Sequence, residues 1–378
     1  MNLLINADAR QVPLADNSVN CIVTSPPYFN LRDYRTARWE GGDPNCDHIA
    51  FKKPNLESGL RNDGRKHKGL YEGEKATEIV EYYREVCSKC GAIRIDSQIG
   101  LEQTPQEYVD NLVQVFRECW RILRDDGTVW LNLGDSYSSY KDCKSVPDTL
   151  RVGGKSESAN MIEKGKSVTR NTRAMKSVGL KDKDLIGIPW MVAFALRADG
   201  WYLRQDIIWA KPNPMPESVK DRCTKAHEYI FLLSKSPKYY YDYEAVKEES
   251  ITPSDMQIAK RNKLEHKGQR DPGGRRQTTA GFDKINKIYE SRNRRSVWTV
   301  TTKPYKGAHF ATYPPELIEP CILAGCPEGG VVFDPFAGSG TTVAVANSLG
   351  RRGIGIDLNY NYLQLAQERV GKVQLPLV

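Results

Sequence analysis

No apolar run in this 378-residue chain approaches the ~20 residues that a membrane-crossing helix needs, which argues against a helical membrane protein. The opening residues MNLLINADAR lack a basic stretch followed by a long apolar one. No signal peptide is therefore expected, and the cytoplasm is the default location. No internal repeat is found, so a repeat array is not expected. Hydrophobic residues are 39% and charged residues 27%, the make-up of an ordinary globular protein rather than a disordered one. In a reducing compartment the nine cysteines read as thiols or metal ligands, not as a disulfide framework. The length allows one large domain with insertions, or two domains.

Positive charge is present in excess and is unevenly placed. The net charge is +8. Residues 141–184 hold 11 Lys and Arg against 6 Asp and Glu, and residues 247–303 hold 14 against 7. Both segments are polar and loop-like, as is 35–100. Such a footprint suits a nucleic-acid phosphate backbone, where cationic side chains release condensed counterions. Solvated surface lysine is the plainer alternative.

LLINADA (3–9), CIVTS (21–25), GTVWLNLGD (127–135) and GVVFDPFAGSG (330–340) read as buried strands feeding loops. TPQEYVDNLVQVFRECWRIL (104–123) reads as a helix: Thr104 caps it, Pro105 suits its first turn, and Glu107 completes a capping box. Its apolar residues recur at helical spacing, and Asp-Asp-Gly is expected to end it. WYLRQDIIWAKP (201–212) and AHEYIFLLSKSPKYYYD (226–242) read as strands that pair near a sheet edge. YPPELIEPCILAGC (313–326) and GTTVAVANSLGR (340–351) read as helices, and GIGIDLN (353–359) as a strand. Alternation of this kind implies a mainly parallel sheet covered on both faces.

Two motifs carry chemistry. VVFDPFAGSGTTVAVANSLGRRGIGIDLN (331–359) is a complete strand-loop-helix-strand unit. Gly338 and Gly340 let backbone N–H groups approach a ligand, and Asp357 after the second strand is placed to accept from ribose hydroxyls. A nucleoside-bearing cofactor follows. Val343 stands where a dinucleotide fingerprint needs its third glycine, and no Gly-Lys-Ser/Thr follows, which disfavours nicotinamide and phosphate-loop readings. The second motif, VTSPPYFN (23–30), ends a strand with two prolines that cannot continue it. The chain is forced into a stiff turn that presents Ser25 and Tyr28.

DPFAGSGTT resembles the S-adenosylmethionine-binding motif of DNA amino-methyltransferases, and TSPPY resembles their catalytic motif. The stretches around INADA, ECWRILRDDGTVWLNLGDSY, LRQDIIWAKPNPMPES and GAHFATYPPELIEP resemble further parts of that family, with Asn20 where an acid is more usual. The resemblance covers roughly two thirds of the chain, and the insertions fall outside it. It implies an α/β, Rossmann-like methyltransferase fold with a mainly parallel seven-stranded sheet and helices on both faces. The catalytic motif precedes the cofactor motif, as in the family's circularly permuted group. One catalytic domain would span 1–378, with 141–184 and 247–303 as target-recognition insertions. Arg294 and Arg295 are expected to matter most there.

By the same resemblance Ser25, Pro26, Pro27 and Tyr28 are catalytic. The Ser25 hydroxyl and the Pro26 carbonyl would accept from the amino protons of a flipped base, and Tyr28 would stack on it. Asp334, Phe336, Gly338, Gly340 and Thr341 would line the methionine end of S-adenosylmethionine. Asp357 would hold the ribose, Asp8 would lie near the adenine, and His309 to Pro314 would close one side. The partner is double-stranded DNA, with a cognate restriction endonuclease as a possible companion. A serine heading the motif is more typical of cytosine-N4 enzymes, and adenine N6 is the alternative target. A non-catalytic DNA-binding protein of the same fold, or methylation of RNA or protein, are the other readings.

One cluster stands apart from these motifs. In the first insertion 38 residues separate the pair Cys46 and His48 from the pair Cys87 and Cys90. Two close pairs of soft ligands suit a structural zinc in a segment with little apolar content. Unrelated thiols are the alternative.

Overall fold

The computed structural model describes residues 3–29, 34, 36–48, 51–54, 79–82, 86–138, 178–250, 290–303 and 313–371. In chain order the strands are β1 (Leu3–Asn6), β2 (Val19–Thr24), β3 (Arg38–Glu40), β4 (Phe51–Pro54), β5 (Ile79–Tyr82), β6 (Ile93–Ile95) and β7 (Leu123–Leu133). They continue as β8 (Tyr202–Ala210), β9 (His227–Ser234), β10 (Glu248–Glu249), β11 (Ser291–Arg292), β12 (Val297–Thr299), β13 (Val331–Asp334) and β14 (Arg352–Asp357). The helices are α1 (Pro105–Ile122), α2 (Ile188–Ala198), α3 (Pro315–Gly325), α4 (Thr341–Ser348) and α5 (Tyr360–Gly371).

Eight strands form the main sheet in the order β1-β14-β13-β2-β7-β9-β8-β12. Only β9 runs against the rest. The sheet thus has one strand more than the seven expected. The short β12 pairs with β8 in parallel and covers what would otherwise be an edge. Successive residues of β7 alternate between two cores. Val129, Leu131 and Leu133 join α1 and α2 on one face, and Trp130 joins α3 on the other. Burial on both faces is why the central strands read as continuous apolar runs.

The capping box at Thr104 and Glu107 is present, and Tyr108, Leu112, Val115, Phe116, Cys119 and Ile122 form the buried stripe of α1. The helix end differs from expectation. Leu123 is already extended, so Asp125-Asp126-Gly127 lies inside β7, not in a stop signal before it. The pairing of β2 with β7 jumps there from Val19–Leu123 to Cys21–Thr128, an irregularity that absorbs the extra residues. Gly127 is needed because a Cβ would sit 2.6 Å from the Leu123 side chain. Helix α2 has no capping side chain of its own. Asp135, distant in sequence, accepts from Gly187 N and Ile188 N, both at 3.0 Å, and serves instead.

Helix α3 meets the sheet at Gly325, where a Cβ would lie 2.5 Å from Thr128 Oγ1 and 2.6 Å from Trp130 Nε1. Both neighbours are buried and belong to the central strand. Gly325→Ala should therefore lower the unfolding free energy by about 1–3 kcal/mol in urea titration. Gly371→Ala, which meets no atom within 4 Å, should stay within about 0.5 kcal/mol of the parent. Equal effects of the two substitutions would contradict this packing.

Candidate active site

Strands β1, β14, β13 and β2 are parallel, so their carboxyl ends share one edge of the sheet. The chain winds outward in opposite directions from the β13–β2 pair, and at such a switch point the loops part and leave a crevice. A cleft of about 950 Å³, counted to its open mouth, lies there. It brings together Asp8, Ser25, Pro27 and Asp334 with Phe336, Gly338, Thr341 and Asp357. Three expected members, Gly340, Pro26 and Tyr28, do not line it. Gly340 packs instead against α5, where a Cβ would be 2.8 Å from Ala366 Cβ. Pro26 is buried at the turn. His309 lies outside the described residues, but Tyr313 does line the cleft.

Beneath the cleft Asp334 is buried at 2% exposure and is surrounded by donors. Its Oδ1 accepts from Thr24 Oγ1 at 2.7 Å and from Phe336 N at 3.0 Å. Its Oδ2 accepts from Thr342 Oγ1 at 2.5 Å and from the Tyr313 hydroxyl at 3.1 Å. Burial raises its pKa, and these donors oppose the rise. Thr24 is the last residue of β2, immediately before Ser25. The carboxylate thus ties the SPPY turn to the glycine loop.

Asp357 accepts from Gly338 N at 2.9 Å and from Asn359 N at 2.8 Å while still facing the cleft. Burial pushes its pKa up to about 6. Burial also acts to raise Asp8, but Arg10 grips both its oxygens and holds its pKa below the usual value.

Tyr28 is turned away from the cleft, into a cluster of polar side chains. Its ring lies on Gly134, where a Cβ would be 2.6 Å from Tyr28 Cε2. Its hydroxyl donates to Glu228 Oε2 at 2.6 Å and lies 3.1 Å from Asn132 Oδ1. Ser25 Oγ is 3.5 Å from the same hydroxyl. Glu228 is paired in turn with Lys211. Burial, reinforced by the Glu228 carboxylate, pushes the Tyr28 phenol well above its usual pKa. One ring face is thus covered, so base stacking could use only the other. Sequence reasoning missed Glu228 and Lys211. Glu228 is on β9 and Lys211 lies just past the end of β8, and the Trp209–Glu228 and Ala210–His227 register brings them together.

The first insertion contributes a wall of the cleft that motif reading did not anticipate. Tyr34, Thr36, Ser97 and Gln98 line it. Tyr34 N donates to Gln98 Oε1 at 2.6 Å, and Thr36 Oγ1 to Asp96 Oδ1 at 2.9 Å. Beyond the β3–β6 ladder, Cys46, His48, Cys87 and Cys90 are brought together, their ligand atoms all within 4.8 Å of one another. Much of the two basic segments, residues 139–177 and 251–289, lies outside the described residues. Arg294 stacks on Trp298, with its Cζ 4.7 Å from the ring centre. Arg295 and Arg292 share Glu248. Arg294 thus packs on a core residue, while Arg292 and Arg295 tie the two described ends of the segment to each other.

A family model described as DNA methylase matches residues 19–368. The Type II methyltransferase M.Cfr9I of Citrobacter freundii is 39% identical, over 97% of this chain and 87% of that protein. The Type II methyltransferase M.SmaI of Serratia marcescens is 38% identical, over 97% of this chain and 90% of that protein. Among solved structures, the PvuII DNA methyltransferase (cytosine-N4-specific) has a TM-score of 0.51 at 14% identity. The match covers 99% of this chain and 87% of that one. The eight-stranded arrangement is accordingly a Rossmann-like methyltransferase fold.

Removing one donor from Asp334 should cost stability in proportion to its charge. Thr24→Val should lower the unfolding free energy by about 1–3 kcal/mol. A lost donor hurts the carboxylate more than the carboxylic acid. The deficit should therefore be small where Asp334 is protonated and grow as pH rises through its elevated pKa. Urea titrations of parent and variant at several pH values measure this; a deficit that shrinks with pH would contradict it.

Proposed function

The chain belongs to the DNA methylase family of amino-methyltransferases, and from that premise we propose that it methylates the exocyclic N4 of cytosine in duplex DNA with S-adenosylmethionine. The observation that carries this reading is the junction of its two motifs. Ser25 and Pro27 line the same cleft as Asp357 and Gly338, and the Thr24–Asp334 bond fastens the two halves together. The residues fit the cofactor: Asp357 is a largely buried acid whose free lone pairs face the cleft, where ribose hydroxyls would satisfy them. Phe336, Gly338 and Thr341 would hold the methionine end, and Asp8 would lie near the adenine.

S-adenosylmethionine, when bound, supplies a methyl group on a positively charged sulfur. The protein's task is to prepare the nitrogen, whose lone pair is delocalised into the base. Ser25 Oγ and the Pro26 carbonyl accept from the two amino protons, draw the nitrogen toward tetrahedral geometry and free that lone pair. The prolines fix where both acceptors point. A base inside a duplex cannot reach them, so it is flipped out. As the amino group sheds a proton to Ser25 Oγ, the serine hydroxyl proton passes to Tyr28 and the tyrosine proton to Glu228 Oε2, along the contacts already described. The serine heading the motif favours cytosine. Adenine N6 is the second reading, because the acceptor pair would serve either amino group.

In this account residues 1–378 act as one catalytic domain in the cytoplasm, alongside a cognate restriction endonuclease. The basic insertions 141–184 and 247–303 bind DNA and choose the site. The order of motifs supports a place in the circularly permuted group. Among the described residues, no helix is long and apolar enough to cross a membrane.

Incubation of the protein with labelled S-adenosylmethionine and mixed-sequence duplex, without added metal, should yield N4-methylcytosine on nucleoside analysis. N6-methyladenine would overturn the base assignment, and no methylated nucleoside would overturn the activity. Glu228→Gln should lower kcat by about 10²-fold or more while the S-adenosylhomocysteine Kd stays within about twofold. Loss of that affinity instead would remove the proton route.

The pH dependence of binding follows from Asp357. Because its pKa is raised to about 6, it is protonated below that value in the free protein. Ribose hydroxyls donate to the anion, so affinity is full above the raised pKa and is lost as pH falls through it. Calorimetric titration of S-adenosylhomocysteine from about pH 5 to pH 7 should show Kd falling and then levelling, with proton release at the acid end. Asp357→Asn should bind more weakly at every pH and lack this slope. A parent protein with a flat profile would contradict the assignment of Asp357.

A further inference from the structure

Outside the cleft, four soft ligands converge with the spacing of a metal centre. Cys46 Sγ is 3.8 Å from Cys87 Sγ, and Cys90 Sγ is 3.6 Å from His48 Nδ1. Tetrahedral zinc, with Zn–S of about 2.3 Å and Zn–N of about 2.05 Å, sets S···S at about 3.8 Å and S···N at about 3.6 Å. The backbone is shaped to present these atoms. Gly91 N donates to Cys87 O at 2.9 Å and Cys87 N donates to Ala92 O at 2.8 Å, which folds Cys87-Ser88-Lys89-Cys90 into a knuckle with both thiols on one side. Gly91 closes that knuckle at φ +73°, a conformation suited to glycine. The loop bearing Cys46 and His48 is seated against it: a Cβ on Gly42 would be 2.8 Å from Cys90 Sγ. The His48 ring stacks on Trp39 with centres 4.7 Å apart.

The position of the cluster gives it a task. The β3–β6 ladder has only three residue pairs. A two-stranded ladder of that length is at best marginally stable alone. At its inner end the two arms carry Tyr34, Thr36, Ser97 and Gln98 onto the cleft, and Arg10 Nη2 and Asn359 Nδ2 bond the carbonyls of Ser97 and Tyr34 at 3.0 and 3.1 Å. At its outer end, among the described residues, stand the four ligands, with the Lys89–Asp47 ion pair and the Val86–Ile93 bridge beside them. We propose that Cys46, His48, Cys87 and Cys90 bind one structural Zn²⁺ that pins the outer end of the ladder and so holds the insertion's wall on the cleft. The metal takes no part in methyl transfer. The wall's importance for binding rests on the reading of the cleft as the cofactor site; the metal centre does not.

The full-length protein, produced with zinc in the medium and freed of loose metal on a chelating resin, should contain about one zinc per chain by elemental analysis. Refolding with Co²⁺ in place of zinc should give thiolate-to-cobalt charge-transfer and tetrahedral d–d bands. Cys90→Ser and the Cys46→Ser, Cys90→Ser double variant should lose the zinc, and Cys223→Ser should keep it. The zinc-free variants should be cleaved within 35–100 before the core is cut, and should bind S-adenosylhomocysteine about tenfold more weakly. A folded parent protein without zinc, a Cys46–Cys87 disulfide in its place, or full zinc in the double variant would overturn the centre. Zinc loss with unchanged affinity and unchanged cleavage would overturn the wall. A zinc-bearing parent that does not bind S-adenosylhomocysteine would refute the cofactor reading and leave the metal centre standing.

Discussion

A carboxylate held out of water must be surrounded by donors, and Asp334 draws its four from separate stretches of chain. Thr24 comes from the end of β2, Phe336 from the loop after β13, Thr342 from the start of α4, and Tyr313 from the residues before α3. Satisfying one buried charge therefore fixes the relative positions of four elements. Two of these lead into the proposed chemistry, for Ser25 follows Thr24 directly and Gly338 lies in the loop that begins at Asp334. The cleft between them follows from the register of two neighbouring parallel strands, with Cys21 opposite Val332 and Ile22 opposite Phe333. Flexible side chains do not have to find one another.

The same economy explains the acids around the cleft. Asp8, Asp334 and Asp357 stand at or just beyond the ends of adjacent parallel strands, but their surroundings set them apart. Asp8 is held by Arg10 and stays acidic. Asp334 lies buried at the floor of the cleft, where its four donors tie separate elements together. Asp357 keeps two backbone donors and an open side, so burial raises its pKa without removing it from a ligand's reach. On the far side of the SPPY turn, Tyr28 and Glu228 belong to a cluster of polar side chains in which Lys211 pairs with Glu228.

Much of this was legible in the sequence where the signal is local. The Thr104–Glu107 box, the stripe along α1, and the strand-loop-helix-strand unit from Val331 to Asp357 are patterns confined to one segment, and each is found. What was not legible depends on partners far apart. The residues at 34–36 and 97–99 become cleft wall only because Arg38 to Glu40 pairs with Ile93 to Ile95. Helix α2 has no local cap because Asp135 supplies one from 52 residues away. Asp125-Asp126-Gly127 resembles a helix stop, but pairing with β2 draws it into a strand. Gly340 was assigned to the cofactor from its motif, whereas contact with Ala366 is what demands a glycine there. Arg294 and Arg295 were singled out by charge and by their place beside the core, and neither signal indicates their neighbours Trp298 and Glu248.

The central claim is that methyl donor and target amino group meet between the carboxyl ends of β13 and β2. A crystal structure with S-adenosylhomocysteine and a duplex bearing the target base would test it most directly. The account predicts the ribose on Asp357, the sulfur facing Ser25, and the flipped base's amino group between Ser25 Oγ and the Pro26 carbonyl. A nucleoside bound away from Asp357, or a base whose amino group points away from Ser25, would contradict it.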